Sequence, residues 1–414
     1  METINIMKIG IIGGGASGLI AAITAAQNGA EVTIIERKDR VGKKILATGN
    51  GKCNFTNHSM NIFDFNSQTS NIFDDYISQF DKNSVISMFE NMGMLTKNKN
   101  GYMYPRSEQA STVLDLLRLK LKELNISVLT QNYPHTIQKK KKTFEIIMDN
   151  SQKLYFDRII LACGSFAGEK NRDDYSGYTY AKSFGHTLVP VVPALVQVHA
   201  KGKEFKSISG VRCDANISLY INNKLVTTEF GELQLTDYGI SGIPVFQLSR
   251  YVSYGIYHKN SVTATIDFLP EYTPEEWKNF VSGKWKTVQK SITAEEFFQG
   301  FLNKKLNLMF LKLSGIKAET PLKNLKFSQI EEVITHMKCW KVEIEGTNPY
   351  ENAQVCAGGV SMDEITLHME SKLVPGLYFA GELLDVDGRC GGYNLQWAWT
   401  SGYLAGTAAA KTLK

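Results

Sequence analysis

Apolar residues near the start of the chain fall into three groups that match regular secondary structure. The run from Lys8 to Ile12 predicts a short buried parallel strand, and the small, apolar stretch from Leu19 to Gln27 predicts a helix. The run from Val32 to Ile35 predicts a second strand, and Glu36 follows it. This order of strand, helix and strand predicts a βαβ unit with two parallel strands.

The turn between the first strand and the helix is rich in glycine. Residues 13–18 have the G-x-G-x-x-G spacing. We expect Gly13 to permit a tight turn, Gly15 to let the backbone approach a pyrophosphate, and Gly18 to let the helix pack close to the strand. Glu36 stands where an acidic side chain accepts hydrogen bonds from adenosine ribose hydroxyls. Together with the surrounding elements, this turn predicts a dinucleotide-binding site.

Further α/β elements follow in the first half of the chain. Helices are predicted over 84–91 and 107–124, a two-stranded hairpin over 144–156, and a buried strand over 158–161. That last strand runs into Cys163-Gly164-Ser165, a turn of small residues. Such a turn lets a ligand pass the carboxyl edge of the sheet, where open α/β sheets bind their ligands.

The pattern changes at Pro190, where prolines interrupt it and β-rich segments begin. A helical stretch follows, and α/β character returns near residue 346. We therefore predict one domain from 1–189 and 346–414, with an inserted substrate domain over 190–345. The insert divides into a β part, about 190–270 and 318–345, and a helical part, about 271–317. Three capping boxes are predicted in it: Thr273 with Glu276, Thr293 with Glu296, and Ser328 with Glu331.

The composition is that of an ordinary globular protein, with 43% hydrophobic and 21% charged residues. A net charge of +5 is small for 414 residues and gives no reason to expect a nucleic-acid partner. The one dense basic block, Lys139 to Lys142, predicts a solvated hairpin turn. The six cysteines include no C-x-x-C pair, so neither a metal site nor a disulfide framework is predicted. Without a signal peptide or a membrane-length apolar run, we expect a cytoplasmic protein with no membrane partner.

Two other segments are candidates for holding a cofactor. Residues 43–57 combine glycine, asparagine, threonine and several cations, which suits either a clamp on phosphates and a ring or a solvated surface turn. Near the other end, 373–382 predicts a strand ending in Gly381-Glu382, and a glycine turn then precedes a helix over 395–410. An acid after the last strand and a helix N-terminus directed at the ring favour FAD over nicotinamide as the tightly held ligand.

Longer motifs make the comparison specific. The runs 43–57, 351–364 and 370–406 resemble those of the BaiN-like, aminoacetone-oxidase-like bacterial flavoproteins, which are NAD(P)/FAD-dependent oxidoreductases. The loop 236–244 resembles the insert of that family, and the resemblance covers essentially the whole chain. It implies an α/β fold in which both chain ends form a Rossmann-like FAD-binding domain, with an inserted β-barrel and a small helical bundle.

The resemblance also implies the residues that contact FAD: Gly13, Gly15, Ala16, Ser17, Gly18, Glu36, Arg37, Lys44, Thr48, Gly49, Asn50, Gly164, Gly381, Glu382, Asn394, Leu395 and Gln396. Two positions depart from the commonest form of the family. Lys52 stands where arginine is frequent, and Cys163-Gly164-Ser165 replaces a Thr-Gly-Gly-like turn.

Both activities of the family are implied for this chain. A bound flavin can take hydride from NAD(P)H and reduce a C=C bond, or it can oxidise an amine and pass electrons to oxygen. Without a second G-x-G-x-x-G unit, NAD(P)H would dock transiently or a partner protein would reduce the flavin. We expect first a reductase of C=C bonds conjugated to a carbonyl in steroid-like or other ring-bearing enones. The alternatives are an amine oxidase of aminoacetone-like substrates that produces peroxide, and a non-catalytic flavin-binding interaction protein.

A reductase needs a proton donor beside the flavin ring. Tyr393 and Cys390 are the candidates, and Arg389 could polarise a carbonyl or pair with a carboxylate. Each has a structural alternative: the tyrosine packs, the cysteine is a small buried apolar group, or Arg389 pairs with Asp385 or Asp387.

Overall fold

A five-stranded parallel sheet lies at the centre of the part of the chain that contains both ends. The computed structural model describes residues 6–69, 73–170 and 176–411. From one edge to the other, the strands are Leu377–Phe379, Arg158–Leu161, Lys8–Ile12, Glu31–Glu36 and Ser127–Thr130. The predicted βαβ unit therefore occupies the middle of the sheet. Ile9 lies opposite Arg158 on one side and opposite Val32 on the other.

The helix of this unit, Ala16–Gln27, packs against the last helix of the chain, Tyr393–Ala410. Both helices consist mainly of small and apolar residues and are buried over most of their length. Their packing is long-range in sequence, so it joins the two chain ends into one domain. The remaining helices of this part are Phe73–Ile77, Lys82–Asn91, Ala110–Glu123 and Gly177–Ser183.

Among the described residues, three smaller sheets lie wholly within this part of the chain. Their strands are Pro134–Lys140, Thr143–Met148 and Lys153–Phe156; Thr56–Asn57, Tyr102–Pro105 and Thr96–Lys99; and Asp387–Gly388 with Phe65–Asn66. The lysine run lies in the turn of the first sheet, where Lys141 has a φ of +45°, so the predicted hairpin is confirmed.

Two local predictions in this part were wrong. The helix predicted from residue 107 begins only at Ala110, because Glu108 adopts the left-handed region with a φ of +54°. The other error is an omission: the strand Tyr102–Pro105, which pairs with Thr96–Lys99, was not predicted. Its aromatic side chains reach other segments, so tertiary contacts stabilise a strand that the local pattern did not show.

Six antiparallel strands form a closed barrel in the middle of the chain. In barrel order they are Val198–Ala200, Gly239–Ser241, Lys224–Leu235, Arg212–Ile221, Val262–Asp267 and Trp340–Thr347. Buried and exposed residues alternate along these strands, as a barrel with a filled interior requires. The helices here are Phe205–Ile208, Ile243–Tyr257, Pro274–Thr287, Ala294–Phe298, Lys304–Leu313 and Phe327–Lys338. The α/β fold with an inserted barrel and helices is confirmed.

The helix starts in the insert test the predicted capping boxes. Thr273 with Glu276 and Thr293 with Glu296 form reciprocal boxes, as predicted. The third box is wrong: the helix begins at Phe327, and Gln329 Oε1 accepts from the backbone N–H of Lys326. The correct start is two residues earlier, at a position where the local sequence offers no serine or threonine.

The chain divides into two compact units, Met1–Val191 with Val355–Lys414, and Val192–Gln354. The strands Leu188–Ala194 and Val355–Val360 lie at these boundaries. The expected return to the first domain at residue 346 falls inside the barrel strand Trp340–Thr347. The barrel strand continues because its alternation of buried and exposed residues carries on through Glu345.

Candidate cofactor and active site

The glycine turn at the edge of the parallel sheet combines crowded and open positions. Gly13 has a φ of +104°, and a Cβ there would overlap the backbone of Ala162. A Cβ on Gly18 would overlap the backbone oxygen of Gly13, so the helix packs directly on the turn. A Cβ on Gly15, in contrast, would meet no atom within 4 Å. Protein atoms thus crowd Gly13 and Gly18, whereas the space beside Gly15 is open, as a backbone that approaches a ligand requires.

The helix that starts at this turn is free to receive an anion. Its N-cap is Gly15, no side chain caps it, and its first turn contains no acidic residue. The helix begins at Ala16, so the unsatisfied backbone N–H groups of its first turn lie beside the open space at Gly15. The positive end of the helix dipole lies there too. Ser17 is buried, and its Oγ lies only 2.4 Å from the position that a Cβ on Gly381 would take. The N-terminal turn consequently adjoins the C-terminal Gly-Glu segment.

Glu36 ends the second strand beside this turn. Its Oε2 accepts from the Gly14 backbone N–H at 2.7 Å, and its Oε1 accepts from the Lys38 backbone N–H at 2.7 Å. These two bonds fix the carboxylate and leave lone pairs for ribose hydroxyls. Arg37 next to it forms an ion pair with Glu169 at 3.4 Å. That Glu36 binds the adenosine ribose and that Arg37 contacts FAD stay predictions.

Lys44 and Glu382 connect the two halves of the site across 338 residues of sequence. Lys44 Nζ lies 2.8 Å from Glu382 Oε2, and Glu382 Oε1 accepts from the Cys356 backbone N–H at 3.0 Å. Desolvation opposes the charge of Lys44, yet the adjacent Glu382 carboxylate holds the pKa of the ammonium above its usual value. This pair places a fixed positive charge and a fixed carboxylate at one location.

The loop after Lys44 has an irregular backbone. It is a 3-10 segment, Lys43–Gly51, that departs from helical geometry at Thr48, Gly49 and Asn50. Gly49 and Asn50 both adopt the left-handed region, with φ of 55° and 53°, and both are exposed. Thr48 Oγ1 donates to the Ile45 carbonyl, which holds the start of the bend. The exposed left-handed pair leaves backbone groups available to a ligand.

Gly164 lies at the carboxyl end of a central strand, in the turn predicted to let a ligand pass. Its φ is +71°, and a Cβ there would meet no atom within 4 Å. The neighbouring Cys163 Sγ donates to the Ile12 carbonyl at 3.3 Å, and burial raises the pKa of its thiol to about 12. The cysteine that replaces the usual threonine is therefore a neutral packing group.

The last helix presents a second N-terminus that no side chain caps. Its N-cap, Gly392, has a φ of +95°, no side chain caps the helix, and its first turn contains no acidic residue. The Asn394 amide closes the preceding loop by accepting from Gly388 N and donating to Gly388 O, each at 2.8 Å. Asn394 and Leu395 are half-buried.

Gln396 differs from the expectation that it contacts FAD. It is fully buried, and its Oε1 accepts from Thr56 Oγ1 at 2.6 Å. Its Nε2 donates to the Phe80 carbonyl and to Thr400 Oγ1, each at 3.0 Å. Because both ends of the amide are engaged inside the protein, we assign the side chain to holding the helix against residues 54–57 and 80.

The three candidate catalytic residues come together in one corner of the first unit. Tyr393 is nearly buried, and its ring packs edge-on against Phe65 with centroids 6.1 Å apart. Burial raises the pKa of Tyr393 to about 12, with Asp64 acting in the same direction. Burial also raises the pKa of the Cys390 thiol. Arg389 is held by its backbone N–H, which donates to the Asp64 carbonyl at 2.9 Å.

The corner also contains residues that sequence reasoning missed. Tyr102 lies beside Tyr393, with Gly391 next to both rings. A Cβ on Gly391 would be 2.8 Å from the Tyr102 ring and 3.2 Å from the Tyr393 ring. Asp385 accepts from Ser67 Oγ and Gln68 N. No local signal marks these contacts, because each joins segments that are distant in the sequence.

These features fit a bound FAD. Open space lies in front of Gly15 and Gly164, and two uncapped helix N-termini without acidic residues supply positive potential. An acidic residue, Glu36, stands at one end, and a glycine turn beside a helix N-terminus stands at the other, as the adenosine and ring ends of FAD would need.

Comparison with known proteins agrees with this geometry. The family model described as HI0933-like protein Rossmann domain matches residues 7–408. The chain is 44% identical over 407 residues to a 3-dehydro-bile acid delta(4,6)-reductase of Clostridium scindens, covering 98% of this chain and 99% of that protein. It is 28% identical to ribosomal RNA dihydrouridine synthases of Haemophilus influenzae and Escherichia coli, covering 95% of this chain and 96% and 95% of theirs.

Within the described ranges, none of the helices has the length and apolar composition of a membrane span.

Proposed function

Because the chain belongs to the HI0933-like family and is an FAD-dependent oxidoreductase, we propose that it reduces a C=C bond conjugated to a carbonyl in a steroid-like, ring-bearing enone. The observation that carries this proposal is the 44% identity, across 98% of the chain, to a protein named as a delta(4,6)-reductase of 3-dehydro-bile acids. NAD(P)H is the proposed electron donor. The predicted family resemblance and the predicted FAD cofactor are confirmed by the family match.

The residues of the catalytic corner are suited to this reaction. When bound, FAD supplies two electrons as hydride to the β-carbon of the enone. The α-carbon then needs a proton, and the Tyr393 hydroxyl is proposed to donate it and to be reprotonated from water. A pKa of about 12 keeps this phenol protonated at neutral pH. Arg389, on the adjoining loop, is proposed to polarise the carbonyl oxygen, where negative charge develops.

An anaerobic titration tests the reaction. We expect the visible flavin spectrum of the purified holoprotein to bleach on addition of NADH or NADPH and to recover when a 3-oxo-Δ4 steroid is added. Mass spectrometry should find a product two hydrogens heavier than the steroid, whereas a saturated 3-oxo steroid, the matched control, should leave the flavin reduced. Bleaching by an amine with peroxide formation in air would replace this proposal with the amine oxidase. A flavin that no small donor reduces would favour the interaction protein.

A second candidate substrate is a uracil base in RNA. Dihydrouridine is uridine whose ring C=C bond, conjugated to a carbonyl, has been reduced, so the 28% identical relatives are named for a product of the same reaction class. The specific observation that favours it is a cluster of three lysines around Glu108. Lys97, Lys99 and Lys52 place Nζ atoms 2.6, 2.8 and 3.4 Å from its carboxylate.

The lysine cluster adjoins the flavin loops. The Lys99 ammonium lies 5.8 Å from the ring centre of Tyr104, and a Cβ on Gly49 would be 3.8 Å from that ring. Hydrogen bonds from Lys97 and Lys99 lower the pKa of Glu108 to about 2. With Lys52, three cations surround this one carboxylate. An excess of positive charge beside aromatic rings is a footprint of single-stranded nucleic acid, and the sequence showed no such stripe.

Charge reversal tests this candidate. We expect the double variant K97E/K99E to bind in vitro transcribed ribosomal RNA at least about tenfold more weakly at low salt, with a salt slope smaller by about 2. Its reduction of the steroid should stay within about twofold of wild type. K141E/K142E in the solvated hairpin is the matched control, because it reverses the same charge on the same unit. Equal RNA affinity of the two double variants would rule out the lysine cluster as an RNA site.

A further inference from the structure

Asn54 lies between two of the segments assigned to FAD, although the sequence analysis did not select it. A Cβ on Gly49 would be 3.0 Å from the Asn54 backbone nitrogen. A Cβ on Gly392, the N-cap of the last helix, would be 2.9 Å from Asn54 Oδ1. The side chain is therefore directed from the irregular loop towards the uncapped N-terminus of an 18-residue helix.

The Asn54 side chain is buried with an unused acceptor. The residue is only 8% exposed, and its Oδ1 has no hydrogen-bond partner among the residues that the structure describes. Leaving a buried carbonyl oxygen unpaired is costly, so buried amides in folded proteins are almost always bonded. What distinguishes Asn54 from other buried residues with an unpaired atom is its place, because it lies beside Gly49 and Gly392 in two segments assigned to FAD.

Neighbouring polar groups of the same segment have hydrogen-bond partners, unlike Asn54 Oδ1. Asn57 donates through Nδ2 to the Gly391 carbonyl at 3.0 Å, and its Oδ1 accepts from Ser59 N at 2.9 Å. The Phe55 carbonyl accepts from Trp399 Nε1 at 2.8 Å. Phe55 and Asn57, which follow Asn54, are thus bonded to the last helix and to the glycine loop before it, so poor packing of this segment does not account for the unpaired oxygen.

We propose that Asn54 is a flavin-binding residue whose side-chain amide hydrogen-bonds the isoalloxazine ring of bound FAD. The ring carries N–H donors and carbonyl acceptors on one edge, which complement an amide. The N-terminus of the last helix acts beside it, since its positive end stabilises negative charge on the reduced ring. This inference rests on FAD binding and is independent of which substrate the flavin reduces.

Two substitutions in the full-length protein test the role of Asn54. Asn54→Leu removes the amide at similar size, and we expect it to weaken FAD binding to the apoprotein by about tenfold, the loss of one buried hydrogen bond. Asn54→Asp is isosteric but places a carboxylate beside the reduced ring. We expect its flavin midpoint potential to fall by at least about 30 mV, which corresponds to a tenfold preferential weakening of the reduced state.

Asn307 provides the matched control. It is a buried asparagine of the second unit whose Oδ1 is also unpaired among the described residues, while its Nδ2 donates to the carbonyls of Phe298 and Leu302. Asn307→Leu should reduce thermal stability and leave FAD affinity and midpoint potential at wild-type values. If Asn54→Leu does not fold, the isosteric aspartate variant carries the test.

The inference is overturned if both Asn54 variants fold and keep the wild-type FAD affinity and midpoint potential. These readouts require no substrate, so a wild-type protein that binds FAD but reduces no enone would contradict the proposed reaction and leave the role of Asn54 standing. A change in flavin affinity of the same size in Asn307→Leu would also overturn it, because the effect would then follow from stability alone.

Discussion

Gly15→Val should abolish FAD binding and leave the apoprotein folded. A Cβ at this position meets no protein atom within 4 Å, and the backbone, at φ −79° and ψ −166°, is extended and suits valine. The added side chain would occupy the space in front of the helix N-terminus, where the pyrophosphate is expected. Losing two charge-assisted hydrogen bonds there lowers the affinity by at least about 100-fold. Flavin fluorescence titration of the apoprotein measures the affinity, and thermal melting of the apoprotein measures the fold.

Gly18→Val is the matched control for this prediction. Its Cβ would overlap the backbone oxygen of Gly13, so we expect the apoprotein to lose about 2–3 kcal/mol of unfolding free energy or to fail to fold. Gly15 and Gly18 thus separate a ligand contact from a packing contact within one motif. Wild-type FAD affinity in Gly15→Val would show that the pyrophosphate does not lie in front of this helix.

Tyr393→Phe should stop enone reduction without affecting reduction of the flavin. The variant keeps the ring that packs against Phe65 and loses only the hydroxyl proposed to protonate the substrate. Removing a general acid slows a reaction by about 10²–10⁴-fold. Anaerobic stopped-flow measurements separate the two half-reactions: flavin reoxidation by the steroid should slow by that factor, and bleaching by NAD(P)H should stay within about twofold.

Tyr102→Phe serves as the control, because Tyr102 lies in the same corner and loses the same atom. Its reoxidation rate should stay within about threefold of wild type. A large loss in Tyr102→Phe together with normal reoxidation in Tyr393→Phe would transfer the proton-donor role to Tyr102. Since the pKa of Tyr393 is raised to about 12, its donor function should persist to at least about pH 10.

Local patterns predicted the βαβ unit and its glycine turn, which are contiguous in sequence. Gly13, Gly15, Gly18 and Glu36 belong to one βαβ unit, whose strand and helix periodicities fix their relative positions. The loop after Lys44 was predicted from composition to be irregular, and its left-handed residues confirm that, while its contact with FAD stays a prediction. The helix that begins at Ala110 and the strand Tyr102–Pro105 were misjudged, because their limits depend on a left-handed residue and on tertiary pairing.

The long-range partners could not be predicted from any local pattern. Gln396 was expected at the cofactor from its place in a motif, yet its amide bonds Thr56, Phe80 and Thr400 inside the protein. Lys97, Lys99 and Lys52 are scattered along the sequence and form a cluster only because a hairpin and a loop meet at Glu108. Nothing in the local sequence distinguishes Asn54 from the other asparagines of its loop, and its unpaired Oδ1 is seen only in the folded structure.

By itself, the sequence determined that both chain ends build an α/β dinucleotide-binding fold around a flavin, with an insert of different texture. Side-chain periodicity within short segments predicts the strands and helices, and the longer family motifs imply the flavin and the two-ended fold. The tertiary structure decided which side chains meet: the Lys44–Glu382 pair, the corner of Tyr393 and Tyr102, and the buried amide of Asn54. Such contacts form only when packing brings distant segments together, and a one-dimensional pattern contains no record of that packing.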